Sequence, residues 1–176
     1  KSYDTEWAAL MIKQYLKPQG FIVSMQNGVN EERIAGVAGW GKTVGCIIST
    51  ISVNCYKAGH ISRYQQPGGD HHQVFRVGEV HGGVTGRTSE LAKILNAVDS
   101  AGVTENLWGE RWTKLTANTI THGLLGATGQ DNRVVYVERG REHRIGVKLA
   151  AEAIAVGRAQ GYQLGTVLGI EPDDWL

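Results

Sequence analysis

The sequence predicts an α/β region at residues 1–105 followed by a helical region at residues 106–176. In the first region, short runs rich in β-branched residues alternate with amphipathic segments and polar or glycine-containing turns, which is typical of α/β folds. In the second region, nearly all of the chain has apolar residues at helical spacing. We therefore expect a mixed sheet with its own helices, and then a mostly helical part.

Five amphipathic segments are predicted to be helices. They are residues 5–16, 30–39, 88–102, 105–125 and 141–160. Thr88 or Ser89 can cap the third, and proline or glycine residues end several of them. Their predicted apolar stripes are Trp7, Leu10, Met11 and Tyr15; Leu91, Ile94, Leu95 and Val98; Trp108, Trp112 and Leu115; and Ile145, Leu149, Ala153 and Val156.

The strand candidates all precede residue 81. Residues 21–25 form a short apolar run that ends in a Gln-Asn-Gly turn. Residues 43–56 are rich in β-branched residues. Residues 60–80 are predicted to form two strands around a Pro-Gly-Gly-Asp turn.

The composition excludes several classes of protein. Lys and Arg number 18 against 17 Asp and Glu, so no overall positive field attracts nucleic acid or an anionic membrane. The longest mostly apolar run, VGCIISTISV, is shorter than the roughly 18 residues that cross a bilayer. Cys46 and Cys55 are not in a Cys-x-x-Cys arrangement, which favours reduced thiols in a cytoplasmic protein. Because the chain begins at Lys1 without a signal segment, we expect it to be a fragment.

One predicted helix carries a row of polar residues. Lys114, Asn118 and His122 follow each other at intervals of four residues, about 6 Å apart along the axis, so all three can face one cleft. Such a row could hold a small polyoxygenated molecule, with Lys114 as a cationic proton donor and Asn118 as a hydrogen-bonding group. The simpler interpretation is the wet side of an amphipathic helix.

The Gln-Asn-Gly turn is a second candidate feature. It directly follows a predicted strand, and ligands of open α/β sheets gather at the carboxyl ends of strands. An ordinary Asn-Gly turn is the alternative, and it is favoured when the turn is considered alone.

Four segments, KSYDTEWAA, FIVSMQNGVNEERI, VFRVGEVHG and WTKLTANTITHGLLGATG, together resemble the ketopantoate reductase (2-dehydropantoate 2-reductase) family over essentially the whole chain. The resemblance implies the C-terminal half of a Rossmann-like NADP-binding domain at residues 1–105 and an incomplete, all-α substrate and dimerisation domain at residues 106–176. It implies NADPH as the cofactor, a small 2-oxo acid as the substrate, an active site in the cleft between the domains, and a homodimer.

The resemblance also implies roles for individual residues. Lys114 matches the family's catalytic lysine, the general acid that protonates the substrate oxygen, and a desolvated ammonium suits that role. Asn118 matches a substrate-binding asparagine, and Asn27 matches an asparagine near the nicotinamide ribose and the substrate. The residues expected near the cofactor are Gln26, Asn27, Gly28 and Lys1.

Two departures from the family pattern limit this expectation. His122 stands where the common pattern has a second substrate-binding asparagine, so the substrate can be a 2-oxo acid other than ketopantoate. The chain has no Gly-x-Gly-x-x-Gly turn, and the family's last helices would follow Leu176. We therefore expect weak NADPH affinity and little turnover from this chain alone. Glu152 matches a recurrent glutamate, for which a helix-surface role is the favoured interpretation.

Two further alternatives concern metals and catalysis. Asp70, His71 and His72 are adjacent, but neighbouring strand residues point to opposite faces, so a polar turn is favoured over a metal site. The alternative to an enzyme is a non-catalytic helical module derived from the same family, which would mediate dimerisation or another interaction.

Overall fold

The computed structural model describes residues 1–67, 73–130 and 140–176. Its helices are α1 (Thr5–Lys13), α2 (Glu31–Ala38), α3 (Gly86–Leu95), α4 (Leu107–Asn118), α5 (Leu124–Thr128) and α6 (Arg141–Ala159). Its strands are β1 (Ile22–Ser24), β2 (Thr43–Ile48), β3 (Val53–Lys57), β4 (His60–Arg63), β5 (Phe75–Glu79) and β6 (Ala101–Thr104). A π-helical turn, Thr119–Gly123, joins α4 to α5. The chain divides into two compact units, Lys1–Leu107 and Trp108–Leu176.

A four-stranded sheet forms the centre of the first unit, in the order β1-β2-β5-β6. β1 is parallel to β2, β5 is antiparallel to β2, and β6 is parallel to β5. The registers pair Val23 with Val44, Cys46 with Val77, and Val77 with Val103. The predicted mixed α/β class is therefore confirmed.

Two clusters of buried apolar residues hold the first unit together. The larger joins the sheet to α3 and contains Val44, Cys46, Val74, Phe75, Val77, Ala92 and Leu95. The smaller joins α1, β1 and α2 and contains Ala9, Ile22 and Ile34. Gly45 and Gly78 let Leu107 approach the sheet closely, because a Cβ on Gly45 would lie 2.6 Å from Leu107 Cδ1 and one on Gly78 would lie 2.9 Å from Leu107 Cβ.

β3 and β4 form a separate antiparallel hairpin, with Gly59 in its turn at a φ of 75°. The two strands predicted in residues 60–80 are present as β4 and β5. They do not pair with each other, because β4 pairs with β3 while β5 pairs with β2 and β6. Most of the predicted Pro-Gly-Gly-Asp turn lies outside the described residues. The run 43–56 is also divided into two strands. Thr50 and Ser52 have φ values of 55° and 43°, which interrupt the extended backbone between β2 and β3.

α3 begins earlier than predicted, because its N-cap is Thr85 instead of Thr88 or Ser89. Thr88 N–H donates to Thr85 Oγ1 at 3.4 Å, and Thr85 N–H donates to Thr88 Oγ1 at 3.1 Å, so the two residues form a capping box. The helix also ends before Gly102, which lies in β6. β6 was not predicted, because its pairing with β5 comes from a distant part of the chain.

The apolar stripes predicted for α1 and α3 are largely exposed. α1 buries Thr5 and Ala9. All four residues of its predicted stripe are exposed: Trp7, Leu10 and Met11 on the helix and Tyr15 just after its end. α3 buries Thr88, Ala92 and Leu95. Two residues of its predicted stripe are exposed, Ile94 on the helix and Val98 after its end. Small residues form much of the buried faces, so the spacing of large apolar residues gives the wrong rotation for these helices.

In the second unit, α6 packs through small residues. It buries Gly146, Ala150, Ile154 and Gly157. The predicted stripe of Ile145, Leu149, Ala153 and Val156 is not the buried face, since Ile145 and Val156 are exposed. Trp112 Nε1 donates to Ala153 O at 2.7 Å, and a Cβ on Gly157 would overlap the Trp112 ring. The glycine therefore makes the close approach of this tryptophan to α6 possible.

The two thiols differ in exposure: Cys46 is buried in β2, Cys55 is exposed in β3, and they are not joined in a disulfide. In the part of the chain that the structure describes, no helix combines the length and the apolar character required to span a bilayer.

Candidate functional site

The Gln-Asn-Gly turn lies directly after β1 in the first unit. Gly28 has a φ of 81°, which glycine adopts without strain, and the nearest atom to a Cβ built there is Asn30 Nδ2 at 3.9 Å. Asn30 Nδ2 donates to Asn27 O at 2.9 Å, and Thr5 Oγ1 donates to Gln26 Oε1 at 3.1 Å. Side chains from outside the turn therefore hold it on both flanks, while its glycine leaves one side open.

Lys1 precedes the short 3-10 helix Ser2–Asp4 and is exposed. Thr5 Oγ1 and Arg33 Nη1 both bond to Ser2 O, at 2.7 and 3.1 Å. Because Thr5 also bonds to Gln26, the structure brings the segment after Lys1 close to the Gln-Asn-Gly turn.

Asn30 and Glu31 are buried behind the turn, and the sequence analysis missed both. Glu31 Oε2 accepts a hydrogen bond from Asn30 N–H at 3.1 Å. A Cβ on Gly45 would lie 3.0 Å from Glu31 Oε1, so the carboxylate reaches β2. An Asn-Glu pair at the start of a helix, directly after a polar turn, is the signal that could have identified them.

A cavity of about 260 Å³ adjoins Gln26. It lies among α1, β1 and Ile34, and its lining is apolar apart from Thr5 and Gln26. This volume is below the roughly 300–1,000 Å³ of typical ligand pockets. The cavity can therefore accept a small apolar group beside the turn, but it does not by itself define a ligand site.

In the second unit, Lys114 and Asn118 lie half-buried on α4, and His122 lies exposed in the π turn. In a regular α-helix each step of four residues exceeds one turn by about 40°, so the three side chains would wind around the helix by about 80°. A π turn contains more residues, because each N–H bonds to the carbonyl five residues back. The step from Asn118 to His122 therefore covers a smaller angle than in a regular α-helix, which reduces the winding of the three positions. That the three side chains face one cleft stays a prediction.

The other side of this helix is fixed in the core of the second unit. Thr116 is fully buried, and Ile120 and Leu124 belong to a buried cluster with Ala150, Ile154 and Val167. A Cβ on Gly146 would lie 3.2 Å from Ile120 Cγ2, so the helices approach closely here. Packing therefore fixes the buried side of this helical segment.

Glu79, at the end of β5, is a fully buried carboxylate bonded to Arg87 of α3. Arg87 Nε and Nη2 donate to Oε1 and Oε2 at 2.7 and 2.6 Å, and Thr85 Oγ1 donates to Oε1 at 2.6 Å. The hydrogen bond from Arg87 holds the pKa of Glu79 below its usual range, against the opposing effect of burial. Arg87 also donates to Gly41 O at 2.7 Å and lies over the Phe21 ring. This cluster connects β5 and α3 to Gly41 and to Phe21, which directly precedes β1.

Among residues 1–67, 73–130 and 140–176, no three His, Cys, Asp or Glu side chains form a group that could hold a metal ion. Asp70, His71 and His72, the trio considered from the sequence, lie outside these ranges. Glu152 is exposed on α6.

The chain matches solved reductase structures over nearly its whole length. The alignment with a 2-dehydropantoate 2-reductase from Geobacter metallireducens covers 99% of this chain and 56% of that one, with a TM-score of 0.78 at 24% identity. The alignment with a PanE/ApbA family ketopantoate reductase from Ralstonia eutropha covers 94% of this chain and 51% of that one, with a TM-score of 0.76 at 23% identity. For a D-mandelate dehydrogenase in a ternary structure with NADH and anilino(oxo)acetate, the TM-score is 0.73 at 13% identity, over 93% of this chain and 51% of that one.

No protein-family model matches the sequence, and no curated protein matches it. The structural matches confirm the resemblance to ketopantoate reductases at the level of the fold. The chain spans about half the length of the matched structures.

Proposed function

We propose that this chain carries part of the active site of an NADPH-dependent reductase, which converts 2-dehydropantoate (ketopantoate) or a related 2-oxo acid to the 2-hydroxy acid in pantothenate and coenzyme A biosynthesis. The observation that carries the proposal is the placement of Lys114 and Asn118 half-buried on α4, with His122 in the π turn that follows, in a helical segment whose Ile120 and Leu124 are buried in the core. The match to a 2-dehydropantoate 2-reductase over 99% of the chain supports it.

In this proposal the Lys114 ammonium acts on the carbonyl oxygen of the substrate. As carbon 2 accepts a hydride, negative charge develops on that oxygen, and the adjacent ammonium stabilises the charge. Lys114 then donates a proton to the oxygen, which completes the hydroxyl group. Its half-buried position strengthens this electrostatic effect, because fewer water molecules screen the charge.

Asn118 and His122 are proposed to orient the substrate. Asn118, one turn from Lys114, offers an N–H donor to a carboxylate and an oxygen acceptor to a hydroxyl group. His122 lies exposed at the outer end of the row, where its ring can contact the tail of the substrate. A 2-oxo acid with a hydroxyl group or another polar group on its tail would suit this row.

The Gln-Asn-Gly turn is proposed to bind the nicotinamide end of NADPH, with Asn27 also near the substrate and Lys1 near the cofactor. The open side of Gly28 fits a flat ring, because no Cβ stands between the backbone and the ligand. Gln26 and Asn27 add amide donors and acceptors beside it. When bound, NADPH supplies the hydride.

The test is the oxidation of NADPH by the complete polypeptide in the presence of 2-dehydropantoate and a series of other 2-oxo acids. Replacing Lys114→Ala should lower kcat by about 10²–10⁴-fold, the usual contribution of a general acid. The melting temperature should hardly change, because alanine is the better helix former.

Lys148→Ala is the matched control, since Lys148 is an exposed lysine on α6. It should retain the activity of the parent protein. A kcat for Lys114→Ala within about twofold of the parent value would reject Lys114 as the acid.

A non-catalytic interaction module is the second candidate, because Trp7 and Leu10 on α1 and Tyr15 just after it expose large apolar surface. The partner would be a second copy of the chain, as a homodimer. Sedimentation would then show a dimer that Trp7→Ser dissociates, in a protein that neither binds NADPH nor reduces any 2-oxo acid.

A further inference from the structure

The π turn between α4 and α5 is the irregular element of the proposed substrate site. It spans Thr119–Gly123, directly after Asn118, and it contains His122. π-helical geometry is rare and occurs mostly as single turns inside α-helices, frequently at functional sites. Particular interactions must therefore stabilise it here against the regular α-helical alternative.

Two threonine hydroxyl groups bond to carbonyls just before or at the start of the turn. Thr119 Oγ1 donates to Thr116 O at 2.7 Å, and Thr121 Oγ1 donates to Ala117 O at 3.0 Å. In an α-helix each N–H group bonds to the carbonyl four residues back, and in a π turn to the carbonyl five residues back. At the junction between the two patterns, one carbonyl is left without its regular N–H donor. A neighbouring hydroxyl group can replace that donor, because buried carbonyls require a partner.

The inner side of the turn is held separately. Ile120 is buried close to Gly146, and Leu124 lies in the same cluster. These contacts fix the side of the turn that faces the core. The hydrogen bonds of the Thr119 and Thr121 hydroxyl groups can therefore control how the backbone winds through the turn. This winding determines where His122 lies relative to Lys114 and Asn118.

We propose that Thr119 and Thr121 are positioning residues for the 2-oxo acid site. Their hydroxyl groups hold the π turn, and the π turn keeps His122 in line with Lys114 and Asn118. This inference rests on the proposed function, since it gives His122 a defined place against the substrate tail. In a regular α-helix, this step would instead place His122 about 40° past Asn118 around the helix axis.

The test compares the complete polypeptide with the double variant Thr119→Val/Thr121→Val, which removes both hydroxyl groups and keeps the branched shape. Binding of 2-dehydropantoate and other 2-oxo acids is measured by NMR titration. We expect the double variant to bind on the order of tenfold more weakly, since each hydroxyl bond contributes a few-fold. Thr119→Ser/Thr121→Ser keeps both hydroxyl groups and should restore affinity to within about twofold of the parent value.

Thr128→Val is the matched control, because Thr128 Oγ1 donates to Leu124 O at 2.9 Å in the same way but outside the π turn. It should leave affinity unchanged. Equal losses of affinity in Thr128→Val and in the double valine variant would overturn the proposal, since back-bonding anywhere along the helix would then matter equally.

A second measurement does not depend on a ligand. Scalar coupling across the hydrogen bond from the Gly123 N–H to the Asn118 carbonyl reports the bond to the fifth residue back that defines a π turn. We expect this coupling in the parent and the serine variant, and its loss in the double valine variant. If the coupling persists in the double valine variant, or is lost without any change in affinity for 2-oxo acids, the positioning role of Thr119 and Thr121 is overturned. The proposed function is not affected by either result. If the parent protein binds no 2-oxo acid, the proposed function fails, and the positioning role fails with it.

Discussion

Glu79 shows how this fold accommodates a buried charge. Both oxygens of its carboxylate accept hydrogen bonds from Arg87, and Thr85 adds a third donor. Such fork-like pairing offsets much of the cost of removing the carboxylate from water. Because the same guanidinium also contacts Gly41 and Phe21, it links several segments of the first unit.

The lowered pKa of Glu79 predicts a dependence of stability on pH. A carboxyl group whose pKa is lower in the folded state contributes fully above its unfolded pKa, near 4.5, and loses that contribution as the pH falls through the folded pKa. We therefore expect the free energy of unfolding from urea titrations to fall below about pH 4.5. At pH 7, Arg87→Met should lower it by about 1.5–3 kcal/mol, with a smaller loss for Arg87→Lys.

Glu79→Gln/Arg87→Met provides the control for this experiment, because it removes both charges. Its stability should depend less on pH in the acidic range than that of the parent protein. An identical acid dependence in the two proteins would show that other groups dominate it.

At the scale of elements, the contact between α6 and Trp112 depends on the absence of a side chain. Gly157 lies directly beneath the indole ring, and Trp112 Nε1 reaches Ala153 O on the same helix. Glycine normally weakens a helix by about 1 kcal/mol relative to alanine. Here that cost is offset by the close packing of a large aromatic side chain.

Gly157→Ala should therefore destabilise the protein, although alanine favours helices. The added methyl group would force Trp112 to move, and overpacking of this kind costs about 1–3 kcal/mol. Gly36→Ala is the matched control, since Gly36 lies exposed in α2 and a methyl group added there would meet no atom within 4 Å. Thermal unfolding should show a lower melting temperature for Gly157→Ala and an equal or higher one for Gly36→Ala; a rise in both would contradict the packing argument.

The elements also show what sequence patterns can predict. The spacing of apolar residues predicted the positions of α2 and α6 well. A glycine ends each of the two sequence patterns, and the hydrogen bonds of a helix lie within its own segment. β6 was missed because its strand character comes from pairing with β5. The π turn was missed because periodicity assumes one number of residues per turn, whereas Thr119–Gly123 follows another.

For the whole molecule, the sequence predicted a mixed sheet region and a helical region, and the structure has one unit around a sheet and another around Ile120, Ala150 and Ile154. The motifs at the Gln-Asn-Gly turn and the Lys114 helix could be recognised because each lies in one continuous segment. Asn30 and Glu31 could not, since their burial depends on residues of other segments, such as Gly45 of β2. The functional roles of the motif residues stay predictions.

The unequal exposure of the two cysteines provides a chemical reporter of sheet opening. Cys55, on the exposed hairpin, should react with a thiol reagent at once, whereas Cys46, buried in β2 opposite Val77 of β5, should react only when the sheet opens. Under native conditions we expect one thiol per chain to react fast and one to react slowly. Cys55→Ser should remove only the fast reaction. Two fast equivalents would show that β2 is accessible. The slow rate would measure the opening of the first unit without any introduced label.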